Sequence, residues 1–98
     1  MEIICKLVGA NFRPSDAKIA LSELDIGDQL FLERDPTNPY DANAVKVLTA
    51  SGVWIGFIPR DHNFDLAQAL DAETDYTCEV LDREEMLKPT LKISVDVD

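Results

Sequence analysis

The sequence predicts a mainly β domain with two short helices, folded as a small six-stranded barrel of the OB-like or SH3-like kind. Short β-prone apolar runs recur along the chain, punctuated by Gly, Pro, Asn and Asp, and they outnumber the two helix-like patterns. A chain of 98 residues with 46% hydrophobic content can bury one compact core without disulfides or metal. Six strands in so short a chain favour closure, which removes exposed sheet edges.

Each element has its own signal. Ile3-Ile4-Cys5-Lys6-Leu7-Val8 is apolar and ends at Gly9, as a buried opening strand would, with Gly9 permitting a bend. Pro14-Ser15-Asp16 offers an N-cap, and Ala17, Ala20, Leu21 and Leu24 follow at helical spacing up to the Asp25-Ile26-Gly27-Asp28 stop. Gln29 to Arg34 is β-prone and closes at the turn-rich Asp35-Pro36-Thr37-Asn38-Pro39. Ala44 to Thr49, the Ser51-Gly52 turn and Val53 to Ile58 make a hairpin that Pro59 ends. Asp61 or Asn63 then caps a helix of two or three turns carrying Phe64, Ala67 and Leu70. Tyr76 to Leu81 and the strictly alternating Leu91 to Val97 pair across the charged Asp82 to Pro89 connection. A free edge at Leu91 to Val97 leaves the chain as a monomer or a weak homodimer.

No linker composition or internal repeat divides the chain, so residues 1–98 read as one domain. The start carries no basic leader and no long apolar run, so a cytoplasmic protein without membrane attachment is expected. Cys5 and Cys78 both sit in apolar runs, where buried reduced thiols are the plain expectation. Net charge is −10, which opposes a polyanionic partner. Its distribution is uneven: residues 61–98 hold eleven acids and three bases, a net of −8, whereas residues 1–60 hold eight acids and six bases, a net of −2. A nucleic-acid site would therefore be built from the first sixty residues, with the acidic remainder as a solvated face.

The run Arg34-Asp35-Pro36-Thr37-Asn38-Pro39-Tyr40-Asp41-Ala42-Asn43-Ala44-Val45, followed about a dozen residues later by Gly56-Phe57-Ile58-Pro59-Arg60, resembles the HIRAN family. The resemblance spans roughly residues 3–71, with the last two strands fitting by position. It implies a standalone module on a modified OB-like barrel that binds a single-stranded DNA end with a free 3′-hydroxyl, in DNA repair or replication-fork processing. By that resemblance Tyr40 stacks on the terminal base, and a ring on a proline-stiffened loop loses little entropy in doing so. Asp41 accepts the terminal hydroxyl's hydrogen bond while repelling a continuing phosphate, so one charge selects an end over an interior. Asn38 bonds the same nucleotide and Arg60 meets a phosphate. Where the family pattern has a second aromatic on the first strand, this chain has Cys5, Lys6 and Leu7; Lys6 is left for a phosphate contact, and Phe12 for a ring from the next loop.

Plainer readings stand beside these. Asn38 to Asn43 also suits a rigid double turn in which Asn38, Asp41 and Asn43 cap their own backbone. Arg60 suits a surface pair with Asp61 or Asp65. Trp54 and Phe57 have opposite parity, so one belongs to the core and Phe57 is the better site residue, with Phe31 and Phe64 as core. His62 lacks companions at ligand spacing, so neither metal nor cofactor is expected, and no nucleophile or phosphate-loop motif points to an enzyme. The acid-rich finish, Glu79, Asp82, Glu84, Glu85, Asp96 and Asp98, supports an alternative: an adaptor or DNA mimic for a basic protein partner, with no DNA affinity.

Overall fold

A computed structural model describes residues 1–84 and 89–98. Glu85 and Lys88 of the charged connection lie outside the described residues. The expected six strands and two helices are present: β1 (Glu2–Lys6), a 3₁₀ turn (Ala10–Phe12), α1 (Ser15–Ser22), β2 (Leu30–Arg34), β3 (Val45–Thr49), β4 (Trp54–Phe57), α2 (Arg60–Asp71), β5 (Tyr76–Glu84) and β6 (Thr90–Val97). β5 runs three residues further into the connection than its apolar run suggested.

The strands form two three-stranded antiparallel sheets, ordered β1-β6-β5 and β2-β3-β4. Single bridges join the sheets, Val8 to Phe57 and Gln29 to Glu79, where a fully closed barrel would have continuous ladders. β6 is the central strand of its sheet, not a free edge, because the opening strand returns to pair along it. Self-association through Leu91 to Val97, as the sequence suggested, is therefore blocked.

The core is a direct product of period-two patterning. β6 buries Leu91, Ile93, Val95 and Val97, and β3 buries Val45 and Val47. α2 contributes Leu66 and Ala67, and α1 contributes Ala17 and Leu21. Phe31 and Phe64 are not core: they are 40% and 54% exposed. Leu30 and Leu32 take the inward parity of β2, and Asn63, Leu66 and Ala67 take the inward face of α2, which leaves both rings outside. The helix caps also differ from expectation. Pro14 and Pro59, both extended, occupy the N-cap positions without a side-chain bond, and Asn63 is a buried residue within α2.

One local irregularity sets which way the side chains of β4 face. In the β3–β4 ladder Phe57 faces Lys46 and Gly56 faces Val47, but Trp54 faces Leu48, so Ile55 is an extra residue. Such a bulge cancels strand parity. Trp54 and Phe57 therefore share one face in an edge-to-face contact at 5.2 Å and 86°, both half-buried, while Ile55 enters the core. The expectation that one ring is core fails for this reason. A Cβ on Gly56 would stand 2.7 Å from Leu7 Cγ and 2.8 Å from the Val8 carbonyl, so only glycine lets β4 approach the end of the first strand this closely.

Both cysteines are free and buried, and burial pushes their thiols up to about 11 for Cys5 and about 12 for Cys78. No helix among the described residues is long and apolar enough to cross a membrane.

Candidate functional site

The loop between β2 and β3 is held almost entirely by its own polar groups. The Asp35 N–H donates to the Ala44 carbonyl at 3.0 Å and closes the base of the loop. Asn38 Oδ1 accepts from the Tyr40 and Asp41 N–H groups at 2.9 and 3.2 Å, and its Nδ2 donates to Asp35 Oδ2 at 3.0 Å. Asp41 Oδ1 accepts from the Asn43 N–H at 2.9 Å. These are the side-chain turns that short polar residues make locally. From outside the loop, Arg34 Nη1 donates to the Ala42 and Ala44 carbonyls at 3.1 and 3.0 Å, and its Nε donates to Asp71 Oδ1 at 3.0 Å. One guanidinium thus ties the loop to the far end of α2.

The same residues open an outward groove of about 220 Å³. Asn38, Tyr40 and Asp41 line it from the loop, Arg60 and Asn63 from α2, Phe57 and Ile58 from the end of β4, and Val8 from the end of the first strand. The Tyr40 ring is 85% exposed, yet its backbone is fixed on both sides, by Asn38 and by Arg60 Nη2, which donates to the Tyr40 carbonyl at 3.1 Å. Arg60 Nε also stands 3.6 Å from Asp41 Oδ2. Its partner is thus Asp41 and not Asp61 or Asp65, because α2 begins at Arg60 beside the loop.

Asp41 is the most constrained group of the groove. Asn63 Nδ2, buried on α2, donates to Asp41 Oδ2 at 2.7 Å. The Asn43 N–H above all, then the Asn63 amide and the charges of Arg60 and Arg34, hold the Asp41 carboxyl below its usual range against some desolvation. An ionised carboxylate is acceptor-only, with capacity beyond the bonds it already accepts. The arrangement offers an exposed flat ring, a hydrogen-bond acceptor that repels anions, and a cation at the lip.

Five residues singled out from the sequence therefore converge: Tyr40, Asp41, Asn38, Phe57 and Arg60. Lys6 does not join them; it points outward from β1, with Nζ 3.1 Å from Glu84 Oε1. Phe12, at the end of the 3₁₀ turn, is 85% exposed and lies outside the groove lining. Val8 and Asn63 line the groove without having been singled out as site residues from the sequence. Asn63 had a usable signal, since it sits three and four residues before Leu66 and Ala67, on the spacing of a buried helix face. His62 Nε2 stands 4.0 Å from Asp61 Oδ2, and among the described residues no three His, Cys, Asp or Glu side chains gather as metal ligands would.

The fold has counterparts among known proteins. The model of the HIRAN domain matches residues 2–97. The chain belongs to the HIRAN domain family. The crystal structure of the HIRAN domain of human HLTF superposes with a TM-score of 0.79 at 22% identity, covering 98% of this chain and 74% of that one. A protein from Lactobacillus plantarum superposes with a TM-score of 0.77 at 22% identity, covering 98% and 99%. The HLTF HIRAN domain in its DNA-bound conformation gives a TM-score of 0.68 at 21% identity, covering 98% and 73%. These likenesses show a shared HIRAN fold. In sequence, 51 residues are 35% identical to the Fanconi-associated nuclease 1 homolog of Arabidopsis thaliana, a stretch that makes up 52% of this chain and 6% of that relative.

Proposed function

We propose that this HIRAN domain is a non-catalytic module that binds single-stranded DNA at an end bearing a free 3′-hydroxyl, and that it serves DNA repair or replication-fork processing. The observation that carries the reading is the pairing of the exposed Tyr40 ring with the ionised Asp41 carboxylate in one groove. The terminal base stacks on Tyr40, a contact any base can make. The 3′-hydroxyl donates to Asp41, whereas a 3′-phosphate or a continuing strand would bring negative charge against it. Arg60 meets the phosphate of the same nucleotide. Asn38 acts mainly by holding Tyr40 and Asp41 in register, since its carbonyl is already engaged by both. Support comes from the DNA-bound conformation recorded for the HLTF HIRAN domain and from the nuclease to which part of this chain is similar.

Fluorescence anisotropy with short oligonucleotides tests the reading. Binding should favour a 3′-hydroxyl end over a 3′-phosphate, weaken with salt, and weaken by about 1–3 kcal/mol for Tyr40→Ala. Equal affinity for the two ends, or none for either, would overturn it. A second reading has one observation in its favour: Glu2 and Asp96 face each other on the outer side of the β1-β6-β5 sheet, and Glu79 points outward from β5. An acidic sheet face suits a basic protein partner. Under that reading the domain has no DNA affinity even at low salt, and charge reversal at Glu79 and Asp96 releases the partner.

A further inference from the structure

Beyond the groove, a second cluster is built on Trp54. The Arg13 guanidinium carbon lies 3.5 Å from the centroid of the indole, and the Lys46 ammonium lies 4.3 Å from it. Arg13 is held there by its Nε, which donates to the Trp54 carbonyl at 3.0 Å, and the indole is held by donating to the Gly56 carbonyl at 3.0 Å. Lys46 is the cross-strand partner of Phe57, so their side chains share one face. Phe57 touches the Trp54 ring and also lines the groove. Groove and cluster are therefore continuous through Phe57.

The charge pattern gives the cluster its meaning. Lys6, Arg34 and Arg60 each have a carboxylate within 4 Å, whereas no such pair forms at Arg13 or Lys46 among the described residues. Glu33 on β2 faces Lys46 across the strand pair without forming an ion pair, so the two cations gathered on one ring keep their charge available to a ligand in a chain of net charge −10. Holding their stems on an aromatic surface removes side-chain entropy before any ligand arrives, which favours binding. Arg13 uses Nε on the protein, so its two Nη groups remain to donate to an anion.

We propose that Arg13 and Lys46, held over Trp54, form a phosphodiester site for the nucleotides on the 5′ side of the end nucleotide. This inference rests on the reading of the groove as an end pocket. It makes the bound strand leave the groove past Phe57 and cross the β3–β4 face.

The test uses the whole chain, a tetrathymidylate with a free 3′-hydroxyl, and its 3′-phosphorylated counterpart. Arg13→Gln and Lys46→Gln should each lower the magnitude of the slope of log affinity against log salt by about 0.7, the amount expected for one phosphate on a single strand. The preference for the 3′-hydroxyl end should stay as in the wild type. Asp41→Asn should do the opposite, losing the preference while leaving in place the salt dependence that Arg13 and Lys46 contribute. Lys46→Gln removes no hydrogen bond within the fold, so an unchanged melting temperature in that variant separates lost phosphate contact from lost structure. Wild-type slopes in both glutamine variants would overturn the phosphate site and leave the end pocket standing. A wild-type chain that binds neither oligonucleotide would overturn both.

Discussion

Tyr40 and Asp41 are neighbours in sequence with opposite physical situations. The Tyr40 side chain packs on almost nothing, so Tyr40→Ala should change folding stability by no more than about 0.5 kcal/mol. If the ring carries a base, the same change should remove about 1–3 kcal/mol of binding free energy. Thermal melts and anisotropy titrations run side by side check the contrast. Asp41, in turn, is held below the ordinary carboxylate value of 3.8 chiefly by the Asn43 N–H and the Asn63 amide. Because its folded pKa is depressed, its contribution to stability is fully present above the unfolded value and is lost as pH falls through the folded one. Selection of a 3′-hydroxyl end should therefore persist through mildly acidic pH and fade only below the usual carboxylate range. Asn63→Ala should raise the Asp41 midpoint, read from the carboxyl carbon by NMR, and bring that loss to higher pH.

Among the elements, the β2–β3 loop and the β4 bulge decide the geometry of the groove. Arg34 makes its three bonds with one planar fork, which a lysine cannot reproduce. Arg34→Lys should cost about 1.5 kcal/mol or more, visible as a lower melting temperature and faster amide exchange at Asn38 and Ala44. At the bulge, the close approach to Leu7 and Val8 leaves no room for a methyl group at position 56. Gly56→Ala should destabilise by about 1–3 kcal/mol. It should also separate Val8 from Phe57, whose paired backbone bonds of 3.0 and 2.9 Å join the two sheets. Weakened binding in that variant would come from a widened groove.

For the molecule as a whole, the two sheets enclose both thiols. The folded pKa values, about 11 and about 12, stand above the ordinary thiol value of 9.0. Raised values mean that the fold favours the protonated form. Stability is therefore full below pH 9 and declines as the pH climbs toward the folded values. Equilibrium denaturation should show that decline, and Cys5→Ala with Cys78→Ala should flatten it. At pH 8 a thiol reagent should leave both cysteines unmodified until the chain unfolds.

Much of this architecture could be read from the residues themselves. Alternating apolar positions placed β3 and β6, and the Ser51-Gly52 turn placed the hairpin. The run from Arg34 to Val45, with Gly56 to Arg60 after it, marked both the family and five candidate residues that the groove gathers. Those features are local, set by side-chain period and turn chemistry. Other features depended on distant partners. A buried Asn63 is acceptable only because Asp41, 22 residues away, accepts a hydrogen bond from its amide. Arg34 finds Asp71 37 residues away, and β6 lies in the middle of its sheet because β1 comes back to it. The bulge that puts Trp54 and Phe57 on one face arises only when β4 is laid against β3. Local pattern determined which segments are strands and helices and which loop lines the groove. Tertiary packing decided which polar groups distant in sequence meet, since a buried donor or charge must find its partner wherever the fold brings one.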